Sequence, residues 1–192
     1  MPVVVIDAPV GDLVSLDEAK KHLRVDFDDD DEYIEALIDS AVAHIDGPAG
    51  WLGRALLTQT LEWRGDEFGT CDIRLPFPPV ADLVSVKYDD DDGVEQTAPD
   101  TIYRLVGQPG APRVTLAYDE TWPTVRAQSE AVRIQYTAGY GNPEDVPAPI
   151  KHAILLLIGH WYANREPVNI GNIVTEIPMT VRALLFPFQI LA

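Results

Sequence analysis

The stretch Ser15–Ile45, SLDEAKKHLRVDFDDDDEYIEALIDSAVAHI, decides how the chain is read. Ser15 is followed three residues later by Glu18, the spacing of a capping box, which predicts a helix over Leu16–Leu23 with Ala19 and Leu23 inward. A second helix starts in the acid run Asp28–Glu32. Tyr33, Ile34, Leu37, Ile38, Ala41, Val42 and Ile45 then recur at helical spacing as one apolar stripe. The acids ahead of that stripe could gather for a metal or a reaction. The simpler reading is that they cap free N–H groups and sit favourably at the positive end of the helix dipole. Gly47-Pro48 and Gly50 weaken or interrupt the pattern, and Trp51–Thr60 is a junction with no assignable element.

Working outward, the character of the sequence changes twice. Residues 1–57 read as helical, 58–141 as strands and turns, and 142–168 as a second helical part. Residues 169–192 read as a linker and an apolar C-terminal arm. The middle segments Thr60–Phe68, Cys71–Pro76, Asp82–Tyr88, Ile102–Val106, Arg113–Tyr118 and Ala131–Tyr140 are short and rich in β-branched and aromatic residues. "VSVKY" and "VRIQY" alternate apolar and polar residues, as half-exposed antiparallel strands do. Pro76, Pro78 and Pro79 mark a corner. Beyond "GNPEDVPAP", Ile150, Ile154, Leu157, Ile158 and Trp161 share one face of a helix. Leu155, Leu156 and Tyr162 broaden that face, so the helix is expected to be buried on most sides, with Trp161 in the core. The fold class is α+β: a helical bundle with an inserted antiparallel β-rich subdomain.

Composition narrows the function. Hydrophobic residues make up 46% of the 192, enough for a packed core. Fourteen Lys and Arg against 31 Asp and Glu give a formal charge of −17, which repels phosphate backbones and disfavours a nucleic-acid-binding surface. A single cysteine, Cys71, leaves no disulfide framework. The N-terminal run lacks a basic region and is broken by Asp7 and Pro9, so no signal peptide is read there. The longest apolar run, Ala153–Ile158, is far short of the roughly 20 residues that span a bilayer. A cytoplasmic site of synthesis and no membrane association are expected.

The candidate chemical sites are weak. The second acid run, Asp89–Asp92, ends at Gly93, and Asp-Gly is a hairpin signal. As a calcium loop it would begin at Tyr88 and end at Pro99, which fails at both ends. A weak surface cation site is the alternative. His22, His44, His152 and His160 are scattered. His152 and His160 lie two helical turns apart, too far to chelate as a pair. Cys71 has no specified histidine partner and reads as a packed or surface strand cysteine. "GYGNPED" lacks a phosphate-loop lysine, and Asp66-Glu67 is one acidic pair among many. No catalytic, metal or cofactor residue is assigned.

The feature with most content is the C-terminal arm. Ile177, Met179, Val181, Leu184, Leu185, Phe186, Phe188, Ile190 and Leu191 are too apolar for a free tail. They either fold back on their own domain or insert into a neighbouring subunit or another protein. Pro178 suits a first helical turn, and Pro187 stops or kinks the segment.

The order of these pieces resembles the head–tail connector (adaptor) proteins of long-tailed bacteriophages and of phage-derived gene transfer agents. The resemblance runs over about residues 15–166, more loosely through "TEIPMTVRALLFPF". It is carried by "LDEAKKHLRVDFDDDDEYIEALIDSAVAHI", "GRALLTQTLEW", "IRLPFPPVADLVSVKYDDDDG" and "YTAGYGNPEDVPAPIKHAILLLIGHWYANRE". It implies a structural protein of the virion neck, assembled in the host cytoplasm, with no catalysis and no cofactor. It implies a ring of about twelve subunits under the portal that extends the DNA channel and meets the next neck or tail protein. It also implies that Ile177–Leu191 contact the portal or an adjacent subunit, although Pro187 argues against one long terminal helix. Twelve such chains would carry a charge of roughly −200, a wall along which DNA slides without tight contact. Two other readings compete. One is an acidic DNA mimic that occupies a nucleic-acid enzyme; the other is a carboxylate-based hydrolase.

Overall fold

A computed structural model describes residues 3–69, 72–165 and 178–190. The chain forms two compact units, Gly11–Gly53 with Gly141–Ala192, and Met1–Val10 with Arg54–Tyr140.

The first unit is helical. Helix α1 spans Leu16–Leu23, as the capping box predicts, and the Glu18 amide donates to Ser15 Oγ at 3.2 Å. It ends at Arg24, which is left-handed at φ 58°. The next amide, of Val25, reaches back to the Lys20 carbonyl at 3.0 Å, which closes the helix end. Helix α2 spans Asp31–Ile45 and buries Ile34, Leu37, Ile38, Ala41 and Ile45. Its C-terminus explains the junction that sequence left unassigned. The amides of Trp51 and Leu52 return to the carbonyls of His44 and Ile45, at 2.9 and 3.3 Å. Gly50 permits that return, because a Cβ there would lie 2.3 Å from the Asp46 carbonyl oxygen.

Helix α3 spans Ala148–Ala163 and buries Ile150, Ala153, Ile154, Leu157 and Ile158. It packs against α1 and α2. Leu155, Leu156, Trp161 and Tyr162 are only half-buried, so the helix is not enclosed on most sides and Trp161 is not a core residue. The indole instead meets His44 edge-on at 6.3 Å, at the rim of the packing. Helix α4, Met179–Leu185, lies on α3 and is followed by a 3₁₀ turn at Phe186–Phe188. Among the described residues no helix is long and apolar enough to cross a membrane.

The second unit is built from two antiparallel sheets. The strands are β1 Val3–Asp7, β2 Gln59–Gly65, β3 Ile73–Arg74, β4 Val80–Asp89, β5 Glu95–Thr97, β6 Tyr103–Val106, β7 Arg113–Leu116 and β8 Val132–Ala138. The larger sheet runs β1-β2-β8-β4-β5 and the smaller β3-β7-β6. Strand β8 alternates strictly between buried and half-exposed residues and β2 does so up to Arg64, with Leu61 opposite Tyr136 and Trp63 opposite Ile134. Those inward residues join Phe68, Ile73, Val86 and Val114 in one apolar core. Phe68 and Trp122 stack at 4.3 Å and 3°, and the buried Tyr136 donates its hydroxyl to the Pro76 carbonyl at 3.0 Å. Gly65 has no side chain because the Trp63 indole covers it; a Cβ would fall 2.3 Å from the ring.

Two strands differ from the sequence reading. The sequence reading places residues 3–7 in the helical part, but their β-branched run pairs with β2, Val3 opposite Trp63 and Val5 opposite Leu61. The three polar residues of β5 form a strand because the Asp-Gly hairpin turn delivers them to β4, not because of any pattern of their own.

Candidate functional site: acid runs and the C-terminal arm

The first acid run does more than cap a helix. Asp30 occupies the N-cap position of α2 but makes no capping bond with its side chain. Asp28 and Asp31 both take Lys20 Nζ of α1, at 2.8 and 2.6 Å. Asp30 Oδ2 accepts the Tyr162 hydroxyl at 2.5 Å and Arg165 Nη2 at 2.7 Å, both from the end of α3. The Arg165 guanidinium also lies over the rings of Tyr33 and Tyr162, 4.6 and 5.0 Å from their centroids. The run therefore ties three helices together. The N-capping expected from sequence gives way because charged donors on neighbouring helices offer stronger hydrogen bonds than the helix amides. Only the helix-dipole contribution of Asp31 and Glu32 in the first turn is kept. The Tyr162 hydroxyl, and then Arg165, hold the Asp30 carboxyl below its ordinary range. Lys20 does the same for Asp28.

The second acid run is a turn, as its Asp-Gly predicts. Asp90 Oδ1 accepts the amides of Asp92 and Val94 at 3.1 and 2.9 Å, and Gly93 is left-handed at φ 81°. Asp89 Oδ1 takes Arg133 Nη2 at 2.5 Å. These carboxylates are spent on the chain's own amides and guanidinium. Among the described residues no three His, Cys, Asp or Glu side chains gather as a metal site. His22 and His152 do meet, edge to face at 6.3 Å, without a third ligand. Cys71 lies outside the described residues.

The arm is divided. Ile177 and Leu191 lie outside the described residues. Val181 and Leu185 are buried, 1% exposed each, on the inward side of α4. Leu184, Phe188 and Ile190 are half-buried, and the Ile190 amide donates to the Leu52 carbonyl at 3.0 Å. Met179 and Phe186 point outward, 85% and 71% exposed. The sequence offers all nine as interaction candidates that either fold back or reach a neighbour; the described ones split into an inward row that holds the arm to its own unit and two outward side chains. The sequence reading does not single out Arg74, Arg104 and Arg113 on the small sheet.

Residues 13–67 match the family model described as "Phage gp6-like head-tail connector protein", a structural family. This segment includes α1, the acid run, α2 and β2. No curated protein matches the chain. Among solved structures, a chain of "Neck of empty GTA particle computed with C6 symmetry" is 24% identical, with a TM-score of 0.80, covering 100% of this chain and 97% of that one. A chain of "Virion of native gene transfer agent (GTA) particle" gives the same identity, TM-score and coverage. A chain of "Neck of native GTA particle computed with C12 symmetry" is 23% identical with a TM-score of 0.73, again over 100% and 97%. At these identities the likeness is one of fold. Residues 13–67 thus carry the pattern of the phage gp6-like head-tail connector family, and the whole chain has the fold of gene transfer agent neck proteins.

Proposed function

We propose that this protein is a head–tail connector of a phage or phage-like particle: a structural neck subunit that joins head to tail and catalyses no reaction. The observation that carries the reading is the coincidence of two independent likenesses. The connector-family match falls on α1, the acid run and α2, and the fold of solved neck chains extends over the full length. The similar neck was computed with C12 symmetry, which supports a ring of about twelve copies here. In this reading the ring sits beneath the portal, continues the DNA channel and presents a platform to the next neck or tail protein. Net charge of −17 per subunit suits a channel wall along which DNA passes without tight contact. The outward residues Met179 and Phe186 are the arm's contact points, with Ile177 and Leu191 as further candidates.

Native mass spectrometry of the chain co-expressed with the portal protein of its own particle tests this. A complex with about a dozen copies on an intact portal is expected. An intact portal with no bound chain would overturn it and return the acidic DNA mimic to the front.

A further inference from the structure

The chain has only 14 cationic side chains, and three of them share one small surface. Strand register fixes their placement. Arg74 of β3 lies directly opposite Arg113 of β7, and Arg113 lies opposite Val106 of β6. Arg104 of β6 lies opposite Thr115 of β7, two residues along from that row. Directly paired residues share a face, and so do residues two apart on a strand. Arg74, Arg104 and Arg113 therefore project from the same side of the three-stranded sheet. The other side carries Ile73, Leu105 and Val114, which pack into the apolar core. All three arginines are exposed. Among the described residues one carboxylate answers them: Asp72, 3.3 Å from Arg113 Nε and itself exposed.

Like charges placed directly opposite on neighbouring strands destabilise a sheet. A chain with 31 acids could neutralise such a row, as it does on the larger sheet. There Arg64, Arg133 and Lys87 form a comparable cross-strand row, answered by Glu62, Glu130, Asp89 and Glu95. Among the described residues the small sheet has only the Asp72 pair, which leaves its arginine row open to anions from another molecule.

The counterpart is on the page. Helix α2 exposes Glu32, Glu35 and Asp39 at spacings of three and four, on one face. None of the three forms a salt bridge among the described residues. Seven residue steps along the helix make a stripe about 10 Å long. Three arginines spread over three strands and two residues of rise cover about 10 to 12 Å. We propose that the arginine face of the small sheet docks on the Glu32–Glu35–Asp39 stripe of a second copy of this chain.

Such a contact joins two different faces, the kind of interface that closes into a cyclic ring. The inference rests on the ring reading above. Duplex DNA offers anions too, but it runs on past the patch as a continuous polyanion beside a surface of net charge −17. The α2 stripe ends where the patch ends.

Charge exchange tests it, read as assembly on the co-expressed portal by native mass spectrometry. One variant carries Arg74→Glu, Arg104→Glu and Arg113→Glu, and a second carries Glu32→Lys, Glu35→Lys and Asp39→Lys. Each is expected to assemble at least about tenfold less than wild type. A third chain with all six exchanges is expected to recover assembly. Circular dichroism establishes folding, and Arg113→Gln, a milder change on an exposed position, serves if a triple variant is unfolded. Wild-type assembly that either triple variant matches would overturn the inference alone, and so would a folded six-exchange chain that fails to recover. Duplex binding by wild type that the arginine variant loses would also overturn it, assigning the face to DNA. Failure of wild type to assemble would overturn the ring reading and this inference with it.

Discussion

Tyr162 and Asp30, 132 residues apart in sequence, are joined by a 2.5 Å hydrogen bond that closes the end of α3 onto the start of α2. Arg165 completes the contact by pairing with the same carboxylate and stacking on Tyr33 and Tyr162.

Asp30→Ala is therefore expected to loosen the helical unit more than Asp29→Ala, its exposed neighbour, which makes no such contact. The melting temperature should fall by a few degrees for Asp30→Ala and stay unchanged for Asp29→Ala. Amide exchange should quicken in the last turn of α3. Equal effects of the two substitutions would show that the contact contributes nothing to stability.

The two sides of α4 should separate in a mutational series. Leu185→Ala removes a buried side chain and is expected to cost about 2 to 5 kcal/mol. Met179→Ser and Phe186→Ser alter exposed side chains and should change stability by no more than about 0.5 kcal/mol. Assembly on the portal should respond in the opposite order, weakened by the outward pair while the chain stays folded. Deleting Pro178–Ala192 is the poorer experiment, because it also strips Val181 and Leu185 from α3. Urea unfolding and native mass spectrometry on the same samples decide the point.

The protein should be acid-labile. Asp28, Asp30, Asp89, Asp90 and Glu95 are all held below their ordinary pKa. The leading causes are Lys20, the Tyr162 hydroxyl, Arg133, the Val94 amide and Lys87 respectively. Below the ordinary carboxylate range, about pH 4, the unfolded chain binds protons that the folded chain still refuses. Their contribution is thus complete at neutral pH and is lost as pH falls through the depressed folded values. Melting temperature measured from pH 7 to pH 3 should drop steeply at the acid end. Asp89→Asn should make that drop shallower.

Gly65→Ala tests the β core. The new methyl would fall inside contact distance of the Trp63 ring, so either the indole or the strand must move. A loss of about 1 to 3 kcal/mol is expected, with a change in tryptophan fluorescence. A neutral substitution would show that the indole does not rest there.

Much of this was legible in the sequence, and the misses share a cause. Ser15 and Glu18 set the start of α1 locally, so a local reading places it. The apolar stripe of α2 and the alternation of β8 are likewise short-range signals. The partners of Asp30 lie at the end of α3 and just beyond it, and no spacing rule links residue 30 to residues 162 and 165. Val3–Asp7 was read with its sequence neighbours, although its pairing partner is β2. The arginine face had a partial signal: each of "DIR", "YRLV" and "RVTL" carries its arginine in the polar phase of a strand. Only the register of β3, β7 and β6 shows that the three phases coincide.

The division of the chain between its units has a consequence for biosynthesis. Strand β1 leaves the ribosome long before β2, to which it pairs, and α1 and α2 precede α3 by the whole β-rich segment. Neither core can close on a nascent chain until β8, and then α3, have been translated. The growing polypeptide thus carries the apolar faces of α1 and α2 uncovered through most of its synthesis. Its excess of Asp and Glu over Lys and Arg makes such half-made chains repel one another on a polysome.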